Sequence, residues 1–97
     1  MKIDFNKNDG ELIVVIDGRL DTVTAPELES FLGKQYEGTD SLTFDCEKLI
    51  YISSAGLRVL LTAHKRMKGA MKLVNVNELV MEVLEMTGFA DILEIVK

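Results

Sequence analysis

Short apolar runs rich in β-branched residues alternate along this chain with amphipathic stretches, and few folds accept that order. Leu12-Ile13-Val14-Val15-Ile16, bounded by Asp9-Gly10 and Asp17-Gly18, reads as a buried strand over 11–17. Asp9-Gly10 suits a hairpin turn back to residues 3–5. A loop is expected after Gly18. Thr24-Ala25-Pro26-Glu27 then matches a capping box with proline in the first helical turn. Leu28, Phe31 and Leu32 share one face of the helix expected over 25–36, which Gly38-Thr39-Asp40 breaks. Leu42-Thr43-Phe44-Asp45-Cys46 is a further strand, and Leu49-Ile50-Tyr51-Ile52 is strand-like. In the next helix Leu57, Leu60, Leu61, His64 and Met67 fall on one arc, with Arg58, Thr62, Lys65 and Arg66 opposite. Residues 71–76 predict another strand. Asn77 caps a third helix to about Thr87, with Leu79, Val80, Val83 and Leu84 on its apolar side and Gly88 as its stop. Ile92 to Val96 is apolar enough to dock, as a helical turn or a last strand. Strands alternating with helices imply an α/β sheet with parallel neighbours.

Ninety-seven residues, 47% of them hydrophobic, supply one core and leave no room for a second, so a single domain over 1–97 is expected. No apolar run approaches the ~20 residues of a membrane span. The polar, partly acidic start is not that of a signal peptide. One cysteine, Cys46, excludes an internal disulfide, and a cytoplasmic protein is the natural expectation. Cys46 itself reads as a small buried hydrophobe. A net charge of −5 argues against nucleic acid and anionic membrane surfaces as partners.

The most informative junction is Ser53-Ser54-Ala55-Gly56-Leu57-Arg58-Val59, where a strand-like run gives way to a helix. Hydroxyls there sit among unpaired backbone N–H groups at the positive end of a helix dipole, which suits an anion or a phosphoryl group. The plain alternative is an ordinary serine cap. Gly56 in the first turn costs ~1 kcal/mol relative to alanine, which implies that a backbone or a ligand comes close to it. Asp21 follows the earlier strand directly. If the two strands are parallel neighbours, Asp21 and Ser54 share a rim, where an aspartate can hold a hydroxyl or a metal ion. Otherwise Asp21 is a solvated loop acid. His64 has no second histidine to work with and reads as a core or rim imidazole. Met67, Met71 and Met86 are expected in the core, and Met81 outside it. A serine hydrolase would need a base beside its nucleophile, and neither a nucleotide loop nor a metal-ligand cluster stands in the sequence, so no catalysis, cofactor or metal is expected.

The chain resembles a STAS domain, of the bacterial anti-sigma factor antagonist group. The resemblance rests on Gly18-Arg19-Leu20-Asp21 with Thr24-Ala25 and Leu28, on 42–45, on Tyr51 through Leu60, and on Thr87-Gly88-Phe89. It implies a mixed, mostly parallel sheet with helices chiefly on one face. It also implies Ser54 as a phosphorylation site, with Asp21 beside it and Ser53, Gly56, Leu57 and Arg58 as its neighbours or partner contacts. The implied partners are an anti-sigma factor that is a GHKL-type serine kinase and a PP2C-type phosphatase. The unphosphorylated antagonist binds the kinase and frees a sigma factor, phosphorylation ends that binding, and the phosphatase resets it. Many relatives carry aspartate where this chain has Ser53, which makes Ser53 a rival acceptor. Many carry glycine where it has Arg58, a cation able to pair with a phosphoryl group or an acidic partner. Two other roles fit the same resemblance: a regulatory STAS subunit of a transport ATPase or transporter, and a small-molecule or nucleotide-sensing domain.

Overall fold

The computed structural model describes residues 1–96; Lys97, the last residue of the expected domain, lies outside them. Strands β1 (Lys2–Asn8) and β2 (Glu11–Leu20) form a hairpin, followed by α1 (Ala25–Gly33), β3 (Ser41–Asp45), β4 (Leu49–Ile52), α2 (Ser54–Arg66), β5 (Met71–Val74), α3 (Glu78–Met86), a 3-10 turn (Phe89–Asp91) and β6 (Glu94–Ile95). The sheet runs β1-β2-β3-β5-β6, and β4 pairs with β2. β1 lies antiparallel to β2, and the remaining described pairs are parallel. Of the two forms expected for the tail from Ile92 to Val96, the strand is the one found, as β6, and the 3-10 turn precedes it.

Asp9 and Gly10 carry the two positive φ angles, +49° and +85°, of a two-residue hairpin turn. β2 then runs two residues past Gly18, where a loop was expected. Its residues 11–15 pair with β3, and Gly18, Arg19 and Leu20 pair with β4. Between those segments the register slips: Gly18 faces Leu49 while Arg19 faces Tyr51, leaving Ile50 as the extra residue of a bulge. Gly18 accommodates the twist at φ +109°, a region closed to most side chains. The bulge also explains the burial of β4. Leu49 and Ile52 are both buried, although three residues apart, while Ile50 and Tyr51 face out.

Leu12, Val14, Ile16 and Leu20 of β2 are at most 1% exposed and centre a single core. Phe44 and Leu73 extend it across the sheet. Ala25, Leu28 and Leu32 of α1, Leu57, Val59, Leu60 and Ala63 of α2, and Val80 and Leu84 of α3 join the same cluster. Ile13 and Val15, on the opposite face of β2, stay half-buried. The helices therefore cover chiefly one face. Truncating a central leucine to alanine costs about 2–5 kcal/mol in such a core.

Periodicity placed the helices but not always their phase. α1 ends at Gly33, three residues before the expected Tyr36. In α2 the buried arc includes Val59 and Ala63, so Leu61 and His64 lie at its edge, half-buried. In α3 only Val80 and Leu84 are buried. Leu79, expected on the apolar side, and Met86, expected in the core, are 60% and 79% exposed, whereas Met81 is half-buried. A nine-residue helix seated on a two-residue seam leaves its flanking apolar residues in solvent.

Candidate functional site at the strand-to-helix rim

Leu20 and Ile52 are register partners at the ends of β2 and β4, and the Ser53 amide donates to the Leu20 carbonyl at 2.9 Å. The two chains therefore leave the sheet side by side, one toward α1 and the other toward α2. Asp21 and Ser54 share that rim, as the parallel pairing requires.

The Asp21 side forms a closed network. Its Oδ1 accepts from the amides of Val23 (3.0 Å) and Thr24 (3.1 Å) and from Thr24 Oγ1 (3.2 Å). The Thr24 hydroxyl also lies 2.8 Å from the Asp21 amide and 2.7 Å from the Arg19 carbonyl. Arg19 Nε stands 3.6 Å from Asp21 Oδ2, and its guanidinium lies over the Tyr51 ring, 4.2 Å from the centroid. Hydrogen bonding, chiefly from the Thr24 amide, outweighs burial and holds the Asp21 carboxyl below its ordinary pKa. The capping box expected at Thr24 does not form. Thr24 is in the helical region and makes no side-chain cap, because its hydroxyl is held by the preceding loop. The hydroxyl beside Asp21 is that of Thr24, and no hydrogen bond joins Asp21 to Ser54 among the described residues.

The other junction is open. Ser53 is an extended N-cap whose hydroxyl accepts from the Gly56 amide at 3.4 Å, a long cap. Ser54, the first residue of α2, is exposed, as is Arg58 one turn on. Arg58 makes no ion pair among the described residues. The close approach inferred at Gly56 is real, but it comes from the protein itself. A Cβ there would lie 2.7 Å from Leu20 Cγ, 2.9 Å from the Leu20 carbonyl oxygen and 3.0 Å from Ile52 Cγ1. Gly56 is thus an inward packing residue, and on its Cβ side the protein leaves no space for a ligand. Leu57, 4% exposed, belongs to the core yet borders a cleft of about 280 Å³ with Ser54, Arg58, Leu61, Thr87 and Phe89.

His64 lies ten residues beyond Ser54, about 15 Å along the helix, too far to act as its base. Its Nδ1 is buried without a hydrogen-bond partner among the described residues. Cys46 is buried, its thiol pushed up to about 12 by desolvation, so it is neither nucleophile nor ligand at neutral pH. No group of three or more His, Cys, Asp or Glu side chains converges among the described residues. Arg19, Tyr51 and Thr87, quoted in the sequence only as parts of longer motifs, also reach the site. The Arg19–Tyr51 pairing depends on the bulge at Ile50, without which Arg19 would face Ile50, so it had no local signal in the sequence.

A family model for the STAS domain matches residues 2–97. The chain is 38% identical over 96 residues to BtrV of Bordetella bronchiseptica, by name a candidate anti-sigma factor antagonist, covering 95% of this chain and 83% of that protein. It is 30% identical over 98 residues to the anti-sigma-B factor antagonist of Bacillus subtilis, covering 98% and 90%. The crystal structure of an anti-sigma factor antagonist from Mycobacterium paratuberculosis has the same fold, with a TM-score of 0.87 at 22% identity over 97% of this chain and 83% of that one. No helix among the described residues is long and apolar enough to cross a membrane. A match across nearly the whole chain, with relatives aligned along most of their own length, assigns it: the chain belongs to the STAS domain family, in the group of anti-sigma factor antagonists.

Proposed function

We propose that this protein is a cytoplasmic anti-sigma factor antagonist that works as a serine switch and catalyses nothing itself. Unmodified, it binds an anti-sigma factor that is a serine kinase of the GHKL type, and a sigma factor is released. The kinase then transfers the γ-phosphoryl group of ATP to Ser54: the Oγ–P bond forms, the bond to ADP breaks, and the hydroxyl proton leaves. The phosphorylated protein loses its partner until a PP2C-type phosphatase hydrolyses the ester. The names of the relatives support the role.

One observation carries the choice of acceptor. Ser53 and Ser54 are adjacent, but Ser53 is half-buried with its oxygen turned to the Gly56 amide, whereas Ser54 is exposed and makes no side-chain hydrogen bond among the described residues. A kinase must bring a phosphorus atom in line with the oxygen it modifies, and only the exposed hydroxyl leaves that path clear. The phosphoryl group brings about −1.5 to −2 charges. The dipole of α2 favours that charge by ~0.3–1 kcal/mol, so the fold stays intact. Loss of binding then arises at the contact surface, where burying the dianion against a partner costs several kcal/mol.

The test is incubation with the cognate kinase and ATP, read by mass spectrometry. Wild type and Ser53→Ala should each gain one phosphoryl group and Ser54→Ala none. A phosphoryl group mapped to Ser53 contradicts the assignment.

A further inference from the structure

We infer that Arg58 is a built-in counter-charge for phosphorylated Ser54, so that modification both adds a dianion to the rim and withdraws a cation from it. The inference rests on Ser54 as the acceptor and goes on to name what receives the phosphoryl group within the same chain. Ser54 and Arg58 stand four residues apart on α2, the spacing that places side chains one above the other on a helix. The order matters: an anion N-terminal to a cation by four is the more favourable arrangement. Both residues are exposed, and both border the same cleft, whose other walls are Leu57, Leu61, Thr87 and Phe89. No carboxylate lines it among the described residues. Thr87 cannot serve the phosphoryl group as a donor, because its hydroxyl donates to the Val83 carbonyl at 2.7 Å.

Arg58 has no ionic partner among the described residues to give up. The groove on its other side is bordered by Thr22, Ala25, Pro26, Ala55, Val59 and Glu29. Glu29 is the carboxylate there, and it makes no ion pair with Arg58 among the described residues. Arg19, the other arginine of the rim, is already held between Asp21 and the Tyr51 ring. Of the two rim arginines, then, Arg19 is engaged and Arg58 makes no ion pair among the described residues, and Arg58 lies a helical turn from the acceptor. A guanidinium offers a phosphoryl group two parallel donors, which suits it to this pairing better than a lysine.

The test installs phosphoserine at position 54 during translation, so it needs no kinase. A kinase that ignores Ser54 would defeat the proposed switch yet leave this measurement standing. Phosphorus NMR titration reads the second ionisation of the phosphoryl group, which a nearby cation lowers. In wild type that pKa should lie about 0.2 to 0.7 below its value in Arg58→Gln, the range of exposed ion pairs. Arg58→Lys should fall between the two. The difference should fade at 1 M salt, where the Debye length is ~3 Å. Arg58 is exposed, so these variants should fold normally, as circular dichroism will verify. Equal pKa values in wild type and Arg58→Gln, or a difference untouched by salt, overturn the inference.

Discussion

The two junctions at the rim start from similar residues and end in opposite states. Where β2 leads into α1, Arg19, Asp21 and Thr24 engage one another, with the carboxylate taking two amides, a hydroxyl and a guanidinium. Where β4 leads into α2, Ser53 makes one long cap, while the Ser54 hydroxyl and the Arg58 guanidinium have no partner among the described residues. A polar network that closes on itself fixes a loop. One that stays open, on a helix anchored from beneath, can present chemistry to another molecule. The anchor is Gly56, which lets α2 sit directly on Leu20 and Ile52. The closed junction is therefore architecture for the open one: Asp21 holds the end of β2 against which α2 packs.

Substitution of that anchor should have the largest effect. Gly56→Ala gains up to ~1 kcal/mol of helix propensity, yet its methyl would press on a backbone oxygen and two core side chains. Overpacking of this kind costs about 1–3 kcal/mol, so denaturant unfolding should show net destabilisation. Gly33→Ala, with nothing within 4 Å of its added carbon, should instead be stabilising by about 0.4–1 kcal/mol. If both changes stabilise, α2 is not seated as described.

Opening the closed junction comes next. The folded-state pKa of Asp21 is lowered, so its contribution is present above the ordinary carboxylate range near pH 4 and is lost as pH falls through the folded value. Asp21→Asn should therefore be less stable than wild type at pH 7, and the two unfolding curves should converge near pH 2. A gap that persists at pH 2 would mean the charge is not what holds the loop.

The smallest effects distinguish the two serines. Ser53→Ala removes a cap and should lose about 0.5–1 kcal/mol. Ser54→Ala removes a hydroxyl with no hydrogen bond among the described residues and should stay within ~0.5 kcal/mol of wild type. Reversed values would exchange their roles.

The elements and their order were legible in the sequence because each strand and helix is short, periodic and punctuated by Gly, Asn or Asp. The shared rim followed from the parallel order. What could not be read was what depends on a neighbour in space. The bulge at Ile50 appears only when β4 pairs with β2, so the extension of β2 beyond Gly18 had no local signal. Thr24 satisfied the capping pattern, but Asp21 and the Arg19 carbonyl took its hydroxyl. Gly56 announced a close approach without saying that Leu20 makes it. Leu79 and Met86 have the chemistry of core residues, and only the narrow seat of α3 leaves them outside.

The central claim is that phosphorylation acts on the open junction and not on the fold. Its most direct test sets the kinase affinity of protein carrying phosphoserine at position 54 beside that of unmodified protein, with thermal unfolding of both. A penalty of 1.4 kcal/mol at the contact is a tenfold loss, so affinity should fall at least tenfold. The melting temperature and the circular dichroism spectrum should be preserved. Unchanged affinity, or a phosphorylated protein whose α2 melts, would contradict the account.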